Sequence, residues 1–353
     1  MVTLSEAYRD HPLHLHHIIP LDFSSAGTLP ETHAWPELDD FATNGCSNGQ
    51  KSIPVIDLKD PNAMEVIGIA CEKWGVFELR NHEIPLNLIE EVDFQAKRFF
   101  ALPSQNKLKA LRSPGGATGY GVARISPFFS KYMWHEGFTI MGSPVDLAKR
   151  IWPNDYAPFC DPMENYQKQM KHLSEQLKHL IFNFLDISNE AKNWVGSTNS
   201  SGSGCACTAI QLNSYPSCPD PNRAMGLAPH TDTSLFTILH QSNTNGLQIF
   251  KDEVGWVPVN PDPTALVVNT GDILHIMSNG RFRSVLHRVM VNGTRPRYSV
   301  AYFYSPPLNY VVSASSNGVL KSGELARFHS VTVKEYIGLK AKNLEKALCL
   351  ITI

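Results

Sequence analysis

The chain has 353 residues, 42% hydrophobic and 18% charged, with a formal net charge of −2. It can build a substantial core as one large domain or two modest ones, which excludes wholesale disorder. The small net charge gives no electrostatic case for nucleic acid or an anionic membrane as main partner, and no apolar run reaches the ~18 residues of a membrane span.

The opening MVTLSEAYRDHPLHLHH lacks the basic start and apolar stretch of a signal peptide, so a cytoplasmic setting is expected. A monomer is expected as well. Cys46, Cys71, Cys160, Cys205, Cys207, Cys218 and Cys349 are odd in number and irregularly spaced. They indicate neither a disulfide framework nor a zinc ribbon, and Cys205 with Cys207 makes no metal site by spacing.

Residues 1–50 are rich in Pro, His and Asn and read as an irregular arm, with His14, His16 and His17 on a solvated extended segment. Residues 51–196 read as mainly helical. Ile53–Leu58 resembles a short buried strand, and Asp60-Pro61 offers an N-cap and first-turn proline. The helix that follows carries Val66, Ile67, Ala70, Cys71 and Trp74 on one face and stops at Gly75. Val76–Leu79 resumes an extended segment, and a second helix covers about 86–100. A third starts at Asp161-Pro162, with Tyr166, Met170, Leu173, Leu177, Leu180, Ile181 and Phe184 at helical spacing.

Ser197–Gly204 is a low-complexity loop. Beyond it, residues 205–310 turn to strands: Thr233–His240, Ala265–Asn269 and Ile273–Met277, then an Asn279-Gly280 hairpin turn into Arg281–Val291, then Arg297–Tyr304. Residues 311–353 form a C-terminal segment with a helix. Helices followed by short strands argue for an α+β fold with a sandwich or barrel and against a doubly wound nucleotide fold. Gly115–Gly121 lacks the Gly-Lys-Ser/Thr ending of a phosphate loop and reads as a mobile loop at a pocket mouth.

His230-Thr231-Asp232 puts an imidazole and a carboxylate two residues apart, on one face of extended chain. With His287 approaching from a neighbouring strand, they would form a two-His, one-carboxylate facial triad. That set leaves three octahedral positions open and suits non-haem iron(II). Ten residues on, Arg297 and Ser299 share a strand face as a guanidinium fork and a hydroxyl, fit to grip a carboxylate. Taken alone, the same ligands also suit zinc, and Arg297 could be a surface ion pair.

Here a resemblance adds to the reading. His230-x-Asp232, His287 and Arg297-x-Ser299 resemble the iron triad and 2-oxoglutarate clamp of the plant 2-oxoglutarate-dependent dioxygenase superfamily. Gln211–Pro216, Gly246–Ile249, Val268–Asp272, Ile53–Leu58 and Trp74–His82 resemble further segments of that family, over about residues 50–345. The resemblance implies a double-stranded β-helix (jelly-roll) core with the helical N-terminal region packed around it. It further implies Fe(II), 2-oxoglutarate as cosubstrate, O2 as oxidant, ascorbate as reductant, and Asn213 and Tyr215 beside the 2-oxoglutarate. His82 reads as structural.

Gly119–Ser126, Lys131–Thr139, Gly142-Ser143-Pro144, Pro229 and the Val333–Tyr336 and Lys340–Lys342 stretches resemble the gibberellin 3-oxidase group. Glu83 and Val333 depart from it, standing where relatives usually have a small residue and often have Trp. Hydroxylation of a carboxylated diterpenoid at carbon 3 is the implied activity, with Arg124 and Lys131 as candidate cations for the acid. Gibberellin 20- or 2-oxidation, a flavonoid substrate, a non-catalytic hormone-binding module and a zinc hydrolase stand as alternatives.

Overall fold

The computed structural model describes residues 7–36, 52–187, 206–315, 318–321 and 323–353. Strands are β1 Val55–Asp57, β2 Val76–Arg80, β3 Gly119–Gly121, β4 Glu136–Ile140, β5 Cys207–Tyr215, β6 Met225–His230, β7 Phe236–Gln241, β8 Leu247–Lys251, β9 Gly255–Pro258, β10 Leu266–Thr270, β11 His287–Met290, β12 Arg297–Ser305, β13 Val311–Val312 and β14 Val331–Thr332. The principal helices are α1 Ala63–Lys73, α2 Leu86–Phe100, α3 Val145–Ile151, α4 Ala157–Phe184, α5 Asp272–Met277 and α6 Val333–Asn343.

An eight-stranded sheet in the order β1-β2-β10-β7-β12-β5-β4-β3 faces a four-stranded sheet in the order β6-β11-β8-β9. Every pairing in both is antiparallel except β1 with β2. This is the expected jelly-roll core.

Period-two alternation along the central strands separates two environments. From β12, Arg297, Ser299, Ala301, Phe303 and Ser305 line a cavity between the sheets, while Val300, Tyr302 and Tyr304 enter the large core on the other side. From β5, Ala209, Gln211, Asn213 and Tyr215 line the cavity, and Ile210 and Leu212 join that core. The helices cover this outer face. In α4, Tyr166, Met170, Leu173, Leu177 and Ile181 recur every three or four residues and are all buried.

Several boundaries differ from the sequence reading. The first helix begins at Ala63, because the Asp60 carboxylate accepts from the Asn62 N–H and holds a turn there. Val66 stands outside its buried stripe. Gly75 stops α1 as expected, at φ +70, where an added Cβ would lie 2.6 Å from the Arg283 carbonyl. Strand β1 is a parallel edge strand with Val55 half exposed, not a buried one. Helix α4 starts at Ala157, so Pro162 lies inside its second turn, not at its start.

Ile273–Met277 is helical, not a strand. Asn279-Gly280, at φ +54 and +79, ends that helix instead of turning a hairpin, and Gly280 N–H donates to the His275 carbonyl. Regular strand then resumes only at His287. Gly119–Gly121, read as part of a mobile loop, is a buried strand at the edge of the large sheet. The histidine cluster forms a 3-10 turn at Leu15–His17 in place of an extended segment, with His17 Nδ1 3.3 Å from Ser126 Oγ. Ser197–Gly204, Cys46 and Cys205 lie outside the described residues.

Candidate active site

The cavity between the sheets is walled by β5, β7, β11 and β12 and closed at its mouth by two segments remote in sequence. Tyr8, His11 and Leu13 come from the N-terminal segment, and Val333, Ile337, Lys340 and Ala341 from α6.

His230 ends β6 and His287 begins β11, and the antiparallel register sets them directly opposite. Asp232 follows His230 by two residues. Both imidazoles turn Nε2 toward Asp232 Oδ1, at 3.7 Å from His230 and 3.9 Å from His287. The three donor atoms lie within 4.8 Å of one another, and this is the one such His/Cys/Asp/Glu group among the described residues. Each His Nδ1 sits against a main-chain carbonyl, Ala228 O at 2.9 Å and Val285 O at 3.1 Å. An Nδ1–H donated there fixes the tautomer and leaves the Nε2 lone pair facing inward, as a metal ligand requires. Burial, helped by His287 and opposed by Asp232, holds the His230 pKa well below the usual imidazole value, so the ring is neutral near pH 7. Thr237 Oγ1 donates to Asp232 Oδ2 at 2.7 Å and orients the carboxylate. The donor set therefore fits a divalent metal with open positions.

Beside the triad lies a buried guanidinium. Register pairs Arg297 with Tyr215 and Ser299 with Asn213 across β12 and β5. Arg297 is 1% exposed, its Nη1 donates to Ser299 Oγ at 3.4 Å, and its Nε has no acceptor. Asn213 Nδ2 is 3.4 Å from the same hydroxyl. Among the described residues no carboxylate pairs with Arg297, so a buried positive charge faces the cavity without a counter-ion.

Sequence reasoning missed two of the polar residues around this group. Gln241 accepts from Arg297 Nη2 at 2.8 Å, and His135 Nε2 lies 3.0 Å from Asn213 Oδ1. Gln241 stands opposite Ser299 in the β7–β12 register, a relation no local motif carries. Of the two cations suggested for a substrate acid, Arg124 lines the cavity but Lys131 does not. Lys131 is half-buried elsewhere and donates to the Glu31 carbonyl at 2.7 Å. His82 is buried, and its Nδ1 accepts from Ile84 N–H at 3.2 Å, the structural role expected of it.

The profile of the 2OG-Fe(II) oxygenase superfamily matches residues 206–306, and that of the N-terminal region of non-haem dioxygenases in morphine synthesis matches 53–157. The chain belongs to the 2OG-Fe(II) oxygenase superfamily. It is 49% identical over 352 residues to gibberellin 3-beta-dioxygenase 1 of Pisum sativum, covering 99% of this chain and 93% of the pea protein. It is 46% identical over 351 residues to gibberellin 3-beta-dioxygenase 1 of Arabidopsis thaliana, covering 99% and 97%. Among solved structures, JOX2 in complex with 2OG, Fe and JA superposes with a TM-score of 0.78 at 26% identity, over 94% of this chain and 96% of that one. In this oxygenase the triad and the buried arginine thus occupy one cavity of a family whose name states both cofactors.

Proposed function

We propose that the protein is a gibberellin 3-beta-hydroxylase, which inserts one oxygen atom of O2 at carbon 3 of a 3-deoxy gibberellin and converts an inactive precursor to the bioactive hormone. The other oxygen atom enters 2-oxoglutarate, which leaves as succinate and CO2, so electrons and atoms balance. The reading is carried by the identity of nearly half of all positions to a gibberellin 3-beta-dioxygenase along almost its whole length.

In this reading His230, Asp232 and His287 hold Fe(II), which when bound supplies the redox chemistry that activates O2. Arg297 and Ser299 take the far carboxylate of 2-oxoglutarate, with Tyr215 and Asn213 beside it. The orphaned Arg297 Nε and the missing counter-ion support that assignment, since a buried cation is costly without an anion. Tyr8, Leu13, Val333 and Ile337 close the mouth and exclude water from the reaction. Ascorbate serves as reductant. A cytoplasmic monomer is the setting we assign. The buried thiols of Cys71, Cys160 and Cys218, none in a disulfide, accord with a reducing compartment. Among the described residues no helix is long and apolar enough to cross a membrane.

The test is aerobic incubation with Fe(II), 2-oxoglutarate, ascorbate and a 3-deoxy gibberellin, followed by mass spectrometry. The expected product carries one added oxygen at carbon 3, with one succinate per turnover. Oxidation at another carbon, or succinate formed only with a flavonoid, would overturn the substrate and keep the chemistry.

A further inference from the structure

Four lysines and arginines line the cavity: Arg112, Arg124, Arg297 and Lys340. Their hydrogen bonds separate them. Lys340 lies 2.7 Å from Asp272 Oδ2 and 3.5 Å from Glu345 Oε1, so its charge is neutralised within the protein. Arg297 is directed to Gln241 and Ser299 on the cosubstrate side. Arg124 stacks on the Tyr8 ring at 3.9 Å and donates from its two Nη atoms to the carbonyls of Gly116 and His11. It is a tie for the N-terminal segment.

Arg112 remains. It is 4% exposed, Nη2 donates to the Val122 carbonyl at 2.7 Å, and Nε–H has no acceptor. Burial, with the nearby charge of Arg124, lowers its pKa to about 10, which leaves it a cation at physiological pH. Among the described residues no carboxylate lies within ion-pair distance of either Arg112 or Arg124, and Asp232 is the only acid on the cavity wall. Arg112 therefore repeats the signature of Arg297: a buried guanidinium with an orphaned Nε and no counter-ion. A site so arranged lacks one anion.

We propose that Arg112 is the subsite for the carboxylate of the substrate, and that the cavity takes an apolar acid whose ionised group sits on Arg112 while its hydrocarbon body meets Ile125, Leu227, Val333 and Ile337. The name of the acid rests on the gibberellin reading, but the subsite itself rests on the cavity. Lys340 and Arg124 already have partners, and Lys131 is elsewhere.

The experiment is calorimetric binding under anaerobic conditions to protein loaded with Fe(II) and 2-oxoglutarate. The probes are a 3-deoxy gibberellin, abietic acid as an unrelated diterpenoid acid, and the methyl ester of each. Wild type should prefer acid to ester by roughly ten- to a hundredfold, the range of a hydrogen bond to a charged group. Arg112→Met should lose that preference by weakening the acid and sparing the ester. Arg112→Lys, the milder change, should keep part of it, because an ammonium retains the charge but not the fork. Equal weakening of acid and ester would overturn the subsite in favour of a structural role. A weakened 2-oxoglutarate affinity with acid preference intact would assign Arg112 to the cosubstrate instead. Acid preference lost in Arg112→Met without any hydroxylated gibberellin from wild type would sink the gibberellin reading alone. Hydroxylation at carbon 3 with acid preference surviving in Arg112→Met would sink the subsite alone.

Discussion

Lys340 Nζ lies 2.7 Å from Asp272 Oδ2, joining the C-terminal helix α6 to the first residue of α5 in the interior of the protein. Asp272 is fully buried, and its carboxylate also accepts from Tyr336 Oη at 2.8 Å and Ser284 Oγ at 2.6 Å. Its own N–H donates to the Asp232 carbonyl at 2.8 Å, while Lys340 and Glu345 both bond to Thr231, the residue between two triad members. The ion pair thus braces the segment that carries His230 and Asp232.

Lys340→Met leaves the Asp272 carboxylate buried without its cation. Removing one partner of such a pair costs about 3–5 kcal/mol, so the denaturation midpoint should fall markedly. Fe(II) affinity should drop by about tenfold or more, as when the support of a metal ligand is lost. Titration of the folded variant with Fe(II) separates the two effects, and wild-type affinity in a destabilised protein would show that the brace serves the fold alone.

Arg297 can be tested through Gln241. Gln241→Leu removes the acceptor of Arg297 Nη2 and leaves a buried donor unsatisfied, at a cost of about 1–3 kcal/mol. The guanidinium loses its alignment, so KM for 2-oxoglutarate should rise several-fold. Arg297→Lys should raise it further, because the two-pronged fork is gone. Succinate formation at varied 2-oxoglutarate measures both, and an unchanged KM in Arg297→Lys would remove the residue from the cosubstrate site.

Acid should begin to destabilise the protein while most carboxylates are still ionised. Burial pushes His135 and His240 down to about 4 in the folded chain, against about 6.5 unfolded. Between those values the unfolded state binds the extra proton, so stability is full above pH ~6.5 and falls on acidification, by up to ~1.4 kcal/mol per pH unit for each histidine. Replacing His240 by Leu should flatten the slope of stability against pH between 6.5 and 4. Chemical denaturation at half-unit pH steps checks this, and an unaltered slope would mean that His240 titrates alike in both states.

The site was more legible in the sequence than the fold around it. His230-x-Asp232 and Arg297-x-Ser299 each lie within three residues at strand periodicity, so a local pattern carries their geometry. Ile273–Met277 misled because a short apolar run fits a buried strand and a buried helix equally well. Gly271 before it and the two left-handed residues Asn279 and Gly280 after it are the marks of a helix turn, but Asn-Gly is also a strong hairpin signal. Arg112 and Gln241 carry no motif at all. They acquire meaning only when the bridge between Leu111 and Tyr120 brings Arg112 to the cavity and the β7–β12 register brings Gln241 to Arg297.

Glu83 departs from the group it resembles at a position where a side chain is penalised. Its φ is +64, in the left-handed region, and its ion pair to Lys59 at 3.5 Å is exposed. Left-handed backbone costs about 1–2 kcal/mol for a residue with a Cβ, and the exposed pair is worth about 0–1 kcal/mol. Glu83→Gly gains the first, loses the second and loosens the unfolded chain by about 0.4–1 kcal/mol. The net expectation is a small stabilisation, read as a rise of a degree or two in the thermal midpoint. Glu83→Ala is the control. It loses the same ion pair but keeps the Cβ, so it should show no gain, and an equal gain from Ala would mean that backbone strain is not the cause.

Val333 departs in a place that touches the substrate space. It is 1% exposed, opens α6 and lies on the cavity wall, where gibberellin oxidases often carry Trp. Its N–H is fixed to the Tyr310 carbonyl at 3.0 Å, so the backbone cannot easily retreat from a larger side chain. The added indole of Val333→Trp must then occupy cavity volume. Substrate affinity should fall by about tenfold or more, in line with what a pocket loses when a fit changes by a few carbons. KM for 2-oxoglutarate should hold, because Arg297 and Ser299 lie on β12 while Val333 lies on α6. Steady-state kinetics with a 3-deoxy gibberellin and 2-oxoglutarate varied in turn distinguishes the two. A rise in the 2-oxoglutarate KM alone would place Val333 against the cosubstrate, whereas unchanged values for both would show that the indole packs away from the cavity and that α6 is not a wall of the substrate site.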